Sequence, residues 1–178
     1  MRKLLILAGT LALSACAGPT SALDGAPSWV VKGNGAYPGD HGKIFRGVGI
    51  SDPNGSASMA RTVADTRARA EIASVMNTYV ERLVKAYQES TQAAGQTQNV
   101  GQATDALKSF TKAQLSGAEV VDHWISKDGT TYSLAELDFT SYKDSVGKAN
   151  EMSNQLRDAV KARADSAFDE LNKESEKH

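Results

Sequence analysis

The sequence predicts an α+β fold. One long helix packs on a small antiparallel sheet, in the order β-α-(α or β)-β-β-α, and a long amphipathic helix closes the chain. Three observations carry this expectation. From Ser56 to about Ser90 the larger apolar residues recur at steps of three and four, the helical period. Residues 118–125 and 130–137 flank Lys127-Asp128-Gly129, the pattern of a β-hairpin with a glycine-bearing turn. From Tyr142 to Leu171 the helical spacing returns and persists over roughly eight turns.

Ahead of these elements the chain opens on a processing signal. Arg2 and Lys3 give a positive start, and Leu4 to Leu13 form an apolar run broken only by Gly9 and Thr10. That run is shorter than the roughly 20 apolar residues a membrane span needs. Charge, short apolar stretch and small residues are instead the layout of a secretory leader. The run ends in Leu13-Ser14-Ala15-Cys16, which resembles the lipobox of bacterial lipoproteins. The resemblance implies that the Cys16 thiol takes a diacylglycerol, that residues 1–15 are cut away, and that the new amino group receives a fatty acyl chain such as palmitate. A small residue at Ala15 suits a protease pocket, and a thiol forms the stable thioether. Two or more chains, at roughly 0.8 kcal/mol per buried CH₂, hold a protein on a bilayer durably. The competing reading is plain secretion, because Ala15-Cys16-Ala17 also fits a small-x-small cleavage rule. Ala17 stands where sorting of the enterobacterial kind uses aspartate for inner-membrane retention, so the resemblance points to the outer membrane, facing the periplasm or the surface. Cys16 is the only cysteine, which excludes disulfides within the chain.

Without residues 1–15 about 160 residues remain, enough for one domain with a modest core. Twenty basic residues against 21 acidic ones leave no electrostatic footprint for nucleic acid. Residues 16–27 read as the lipidated cysteine and a flexible tether, small and polar with two prolines. The domain is expected over residues 28–140, and residues 141–178 as the C-terminal helix with a charged tail.

Within the domain, residues 32–43 are glycine-rich and read as loop. Ile44 to Ile50 is the first strand. Its Gly47-x-Gly49 lacks the helix-opening glycines of a nucleotide fingerprint; close packing under a helix is the better meaning. Ser56 is the expected cap of the long helix, with Met59, Val63, Ile72, Val75, Met76, Tyr79, Val80, Leu83 and Tyr87 on its apolar stripe. Ala60, Ala64 and Ala68 fill the stripe's first half and let the helix approach its sheet. Arg61, Asp65, Arg69, Glu81 and Lys85 are assigned to the opposite face. Residues 91–102 read as a mobile connection, and Ala103 to Leu115 fits either helix or strand. The last helix is expected from Thr140 or Ser141, with Asp144 completing a capping-box-like start.

The order of these motifs is similar to that of a known group: lipobox, Pro27-x-Trp29-Val30, Gly47-x-Gly49, then Ala60, Ala64, Arg67-Ala68-x-Ala70-Glu71-Ile72-Ala73, and a hairpin with His123-Trp124 and Tyr132-x-Leu134-Ala135. It resembles the small bacterial outer-membrane lipoproteins typified by the twenty-kilodalton lipoprotein of Helicobacter, flagellum-associated members included. The resemblance covers about residues 27–140. It implies an envelope location, no enzymatic activity and no cofactor; the final helix and the glutamine-rich connection have no counterpart in it.

No catalytic or metal-ligating set is expected. Asp122-His123 with Ser133 or Ser141 supplies the residue types of a hydrolase, but no nucleophile elbow accompanies them. Neighbours on a strand also point to opposite faces. Asp40, His41 and Asp52 lack zinc-site spacing. Trp29 and Trp124 could stack on a ligand, although core packing is the commoner role. The C-terminal helix either covers the sheet or presents surplus surface to another protomer or an envelope partner. The functional expectation is a non-enzymatic envelope lipoprotein, anchored through Cys16, with a structural or protein-interaction role. The alternative is a periplasmic ligand- or peptidoglycan-binding module using loop 32–43 and the tryptophans.

Overall fold

A computed structural model of the chain describes residues 22–37, 44–53, 55–95, 100–150 and 152–175. The fold is α+β, as the sequence predicts. A short helix α1 (Ser28–Lys32) and a 3₁₀ turn (Gly33–Ala36) precede strand β1 (Ile44–Ser51). Helix α2 (Ala57–Ala93) follows, then α3 (Val100–Gln114), β2 (Glu119–Ile125), β3 (Thr131–Asp138), α4 (Phe139–Lys148) and α5 (Asn154–Ser175). The sheet is antiparallel in the order β1-β3-β2, so both outer strands are edges.

Ser56 caps α2 as expected, its hydroxyl accepting from the Met59 N–H at 3.2 Å. The helix lies across the sheet on the side of Gly47 and Gly49. A Cβ at Gly49 would sit 1.9 Å from the Ala64 carbonyl oxygen, and one at Gly47 would sit 2.3 Å from that of Ala68. Helix backbone therefore rests on strand backbone, and the alanines Ala60, Ala64 and Ala68 are buried there. Pairing of Gly47 with Ala135, of Gly49 with Ser133, and of Ser133 with His123 continues this inner face across the sheet.

At 1.5 Å per residue α2 extends roughly 55 Å, well past a three-stranded sheet. Its second half buries Met76, Tyr79, Val80, Leu83 and Tyr87 against the other helices. Phe45 of β1, Tyr79 of α2, Phe139 of α4 and Phe168 of α5 meet with ring centroids 4.5–6.0 Å apart. Aromatic pairs at this spacing add about 0.5–1.5 kcal/mol each beyond their burial. The C-terminal segment thus belongs to the same core as the rest. The surplus helical length that pointed to an outside partner is used along α2.

Several local expectations are corrected. Met59 is 61% exposed and does not join the apolar stripe. The segment 91–102 is not a continuous connection: α2 runs to Ala93 and α3 begins at Val100, with residues 96–99 outside the described set. The ambiguous segment is helical, burying Leu107, Phe110 and Thr111. The last helix is two helices. α4 starts one residue early, capped by Asp138, which accepts from the Ser141 N–H; Asp144 is not part of that cap. Ser153 caps α5, accepting from Leu156 N–H at 3.2 Å, and Arg157 donates to the Ala149 carbonyl at 3.1 Å, closing the break.

Candidate functional site

Cys16, Asp40 and His41 lie outside the described residues, as does the leader, residues 1–15. Beyond the expected anchor, the chain is held against the domain from Ala22 onward. The Ala26 N–H donates to the Leu23 carbonyl at 2.9 Å, and the Asp24 carboxylate meets Lys127 Nζ at 2.7 Å. Both partners of that ion pair are well exposed, so it guides the segment and adds little stability. Trp29 fastens it. The indole is 3% exposed, and its Nε1–H donates to Asp122 Oδ2 at 2.9 Å. Farther along, Tyr37 stacks on the Arg46 guanidinium, 3.9 Å from the ring centroid, while Arg46 holds Glu136 at 2.7 Å. The outer face of the sheet is thus met by the segment that follows Cys16. The tether expected over residues 16–27 is held from Ala22 on.

The polar constellation with chemistry-bearing residue types lies on the inner face. His123 is carried on β2, Ser133 opposite it on β3, and Asp65 on α2. Ser133 Oγ–H donates to Asp65 Oδ1 at 2.6 Å, and His123 Nε2 bonds the same oxygen at 2.7 Å. Burial alone would raise the Asp65 carboxyl. The hydrogen bonds from Ser133 and His123, with the charges of His123 and Arg69, outweigh it and hold Asp65 below the usual carboxylate range.

The order of the three groups decides what they do. Nucleophilic catalysis needs the hydroxyl bonded to the imidazole, with the carboxylate behind. Here the carboxylate sits between, and Ser133 is wholly buried. Asp122 turns to Trp29 on the other face, as strand alternation requires, and Ser141 lies in the first turn of α4. Asp65 fastens the edge strand to the helix. The sequence pattern assigns it to the outward side of α2, and nothing local signals a partner 58 residues away.

Tyr79 and Tyr142 are the other buried ionisable groups. Burial raises both, Tyr142 to about 12, so both hydroxyls stay neutral. Tyr79 donates to the Ala164 carbonyl at 3.2 Å, and Tyr142 pairs with Thr111 at 2.9 Å.

The two tryptophans do not form a stacking pair. Trp29 is buried against Asp122, and Trp124 packs on Tyr132 with centroids 5.3 Å apart. A cleft of about 440 Å³ opens between α2 and α5, lined by Thr78, Glu81, Arg82, Lys85, Arg163 and Glu170. Its charges alternate, and Arg82 is taken by Glu170 and Glu174. A second cleft of about 370 Å³ is lined by Glu119, Glu136, Asp138 and Tyr142 among others. Among the described residues no group of three His, Cys, Asp or Glu side chains is placed to hold a metal, and no helix is long and apolar enough to cross a membrane. No known protein family matches the chain, and no curated protein matches it either.

Proposed function

We propose that this chain is a non-enzymatic envelope lipoprotein, cleaved before Cys16, lipid-anchored there, and sorted to the outer membrane, where its α+β domain has a structural or protein-interaction role. The observation that carries this reading is Leu13-Ser14-Ala15-Cys16 at the end of a short apolar run begun by Arg2-Lys3. The polar cluster is consistent with a non-catalytic role, since Ser133 is buried and bonded to a carboxylate. Partners, or further copies of the chain, would meet the charged outer surfaces of α2 and α5. The likeness to the small outer-membrane lipoproteins favours a flagellar or general envelope setting for that contact. In the alternative, a periplasmic ligand- or peptidoglycan-binding module, stacking would fall to Trp124, because Trp29 is buried.

Cys16→Ser is the test. The expected result is an uncleaved precursor without lipid, against a wild-type chain whose intact mass shows residues 1–15 removed and acyl chains added. A wild-type mature chain that begins after Cys16, or that carries no lipid, would sink the reading.

A further inference from the structure

Four of the six large apolar side chains exposed on the described surface gather at one end of the molecule. Leu23, Ile50, Met59 and Ile125 are 38, 44, 61 and 53% exposed. The elements that carry them converge there. Ile125 ends β2 just before the hairpin turn, and Ile50 lies next to Ser51, which ends β1 and pairs with Thr131 at that turn. The loop after β1 touches the same turn, since a Cβ on Gly129 would lie 3.0 Å from Pro53 Cβ. Met59 stands in the first turn of α2, its sulfur 3.6 Å from where a Cβ on Gly55 would be. Leu23 is brought in by its neighbour Asp24, paired with Lys127 of the turn.

Ile50 leaves the sheet on its outer face and Ile125 on its inner face, so the four side chains ring this tip rather than forming one flat patch. What identifies the occupant is the place where the described chain starts. Ala22 lies at this same end, and Cys16 is six residues before it, a span of about 20 Å at most when fully extended. We propose that this hairpin-turn end is a membrane-contact face, on which Leu23, Ile50, Met59 and Ile125 rest against the lipid surface that holds the anchor. The inference deepens the lipoprotein reading and rests on it. A tether this short keeps the tip at high effective concentration over the bilayer, so even a weak apolar contact is populated. Asp24, Asp52 and Asp128 at this end outnumber Lys127 and Arg67, the latter donating to the Ile50 carbonyl, so there is no net attraction to anionic headgroups. The contact is therefore apolar and directed to neutral, zwitterionic lipid.

The test places a benzophenone amino acid singly at Leu23, Ile50, Met59 or Ile125 of the full chain, processed in cells and reconstituted in phosphatidylcholine vesicles. Val121, 49% exposed at the other end of β2, and Lys85, far along α2, are the controls. Lipid adducts are counted by mass spectrometry, and the same spectra report acylation of Cys16. Adducts several-fold above both controls at three or more of the four positions are expected, falling when anionic lipid replaces half the vesicle. Acylated protein with adduct yields equal to those of Val121, or with crosslinks to protein only, overturns the contact face and leaves the anchor standing. Absence of lipid on Cys16 overturns both.

Discussion

Replacing Gly49 by alanine tests the seat of α2 on the sheet most directly. The added methyl would lie 1.9 Å from the Ala64 carbonyl oxygen and 2.3 Å from the Ala68 nitrogen. Ordinary carbon contacts lie near 3.5 Å, so the overlap is about 1.5 Å. Both neighbours are backbone, so no side chain can rotate away. The helix itself must lift, and lifting it loosens the packing of Ala64, Ala68 and Ile72, all fully buried. Over-packing of a side-chain core costs about 1–3 kcal/mol; a clash against rigid backbone should reach or exceed the upper end. The change is free of backbone strain, because Gly49 is not among the glycines at positive φ.

The measurement is urea unfolding followed by circular dichroism, on the chain lacking residues 1–15 and carrying Cys16→Ser. Gly117→Ala is the control, since a Cβ there meets only Leu137 Cδ1 at 3.7 Å, and it should stay within about 0.5 kcal/mol of the parent. Gly49→Ala is expected to lose at least about 3 kcal/mol, or to fail to fold while Gly117→Ala folds. A loss below about 1 kcal/mol would refute close backbone contact as the reason for the two glycines.

Two further changes probe the core and the polar link. Asp65 is held below its ordinary value in the folded chain, so its carboxylate stabilises the fold above about pH 4–5, and that contribution fades as pH falls through the unfolded value near 3.9 towards the folded one. The stability gap between parent and Asp65→Asn, followed by urea midpoints from pH 5 to pH 3, should therefore narrow on acidification; a widening gap would contradict the assignment. Tyr79→Phe keeps the ring contacts with Phe45 and Phe139 but removes the donor to Ala164, and should cost about 1 kcal/mol by thermal unfolding against about 3–5 for Tyr79→Ala.

The legible part of the fold rests on local period and local chemistry. The alanines of α2 and the glycines of β1 can be matched because small residues on both sides have one common purpose, close approach. The hairpin and the Ser56 cap are equally local. The break between α4 and α5 is hidden for a physical reason: Ala149 and Leu156 are seven residues apart, two helical turns, so the apolar stripe stays in phase across it. Only Ser153, as a capping residue, signals the second start. The bulge in β2 between Val120 and Asp122 leaves no such sign. It places Val120 and His123, rather than Val121 and His123, on the inner face, and no residue type marks the extra position. Partnerships over long separations, Asp65 with His123 and Trp29 with Asp122, are beyond reach because each residue fits a solvated or core role equally well on its own.

Those long-range pairs explain why the residues most suggestive of catalysis sit on β2. An open edge strand offers unpaired backbone groups to any passing strand, and proteins blunt such edges with bulges and charge. β2 has a bulge at Val121 and carries Glu119, Asp122 and His123. Two of these also pin the strand, His123 to Asp65 on the inner face and Asp122 to Trp29 on the outer. Arg69 adds a third tie, donating to the Ala118 carbonyl at 3.3 Å just before the strand begins. Through Trp29 and the Asp24–Lys127 pair the same strand receives the segment that leads to Cys16. A pull on the N-terminal segment is therefore taken up by β2 and passed through Asp65 to the longest helix. The polar residues of β2 serve attachment, and the edge they guard is the one that the N-terminal segment meets.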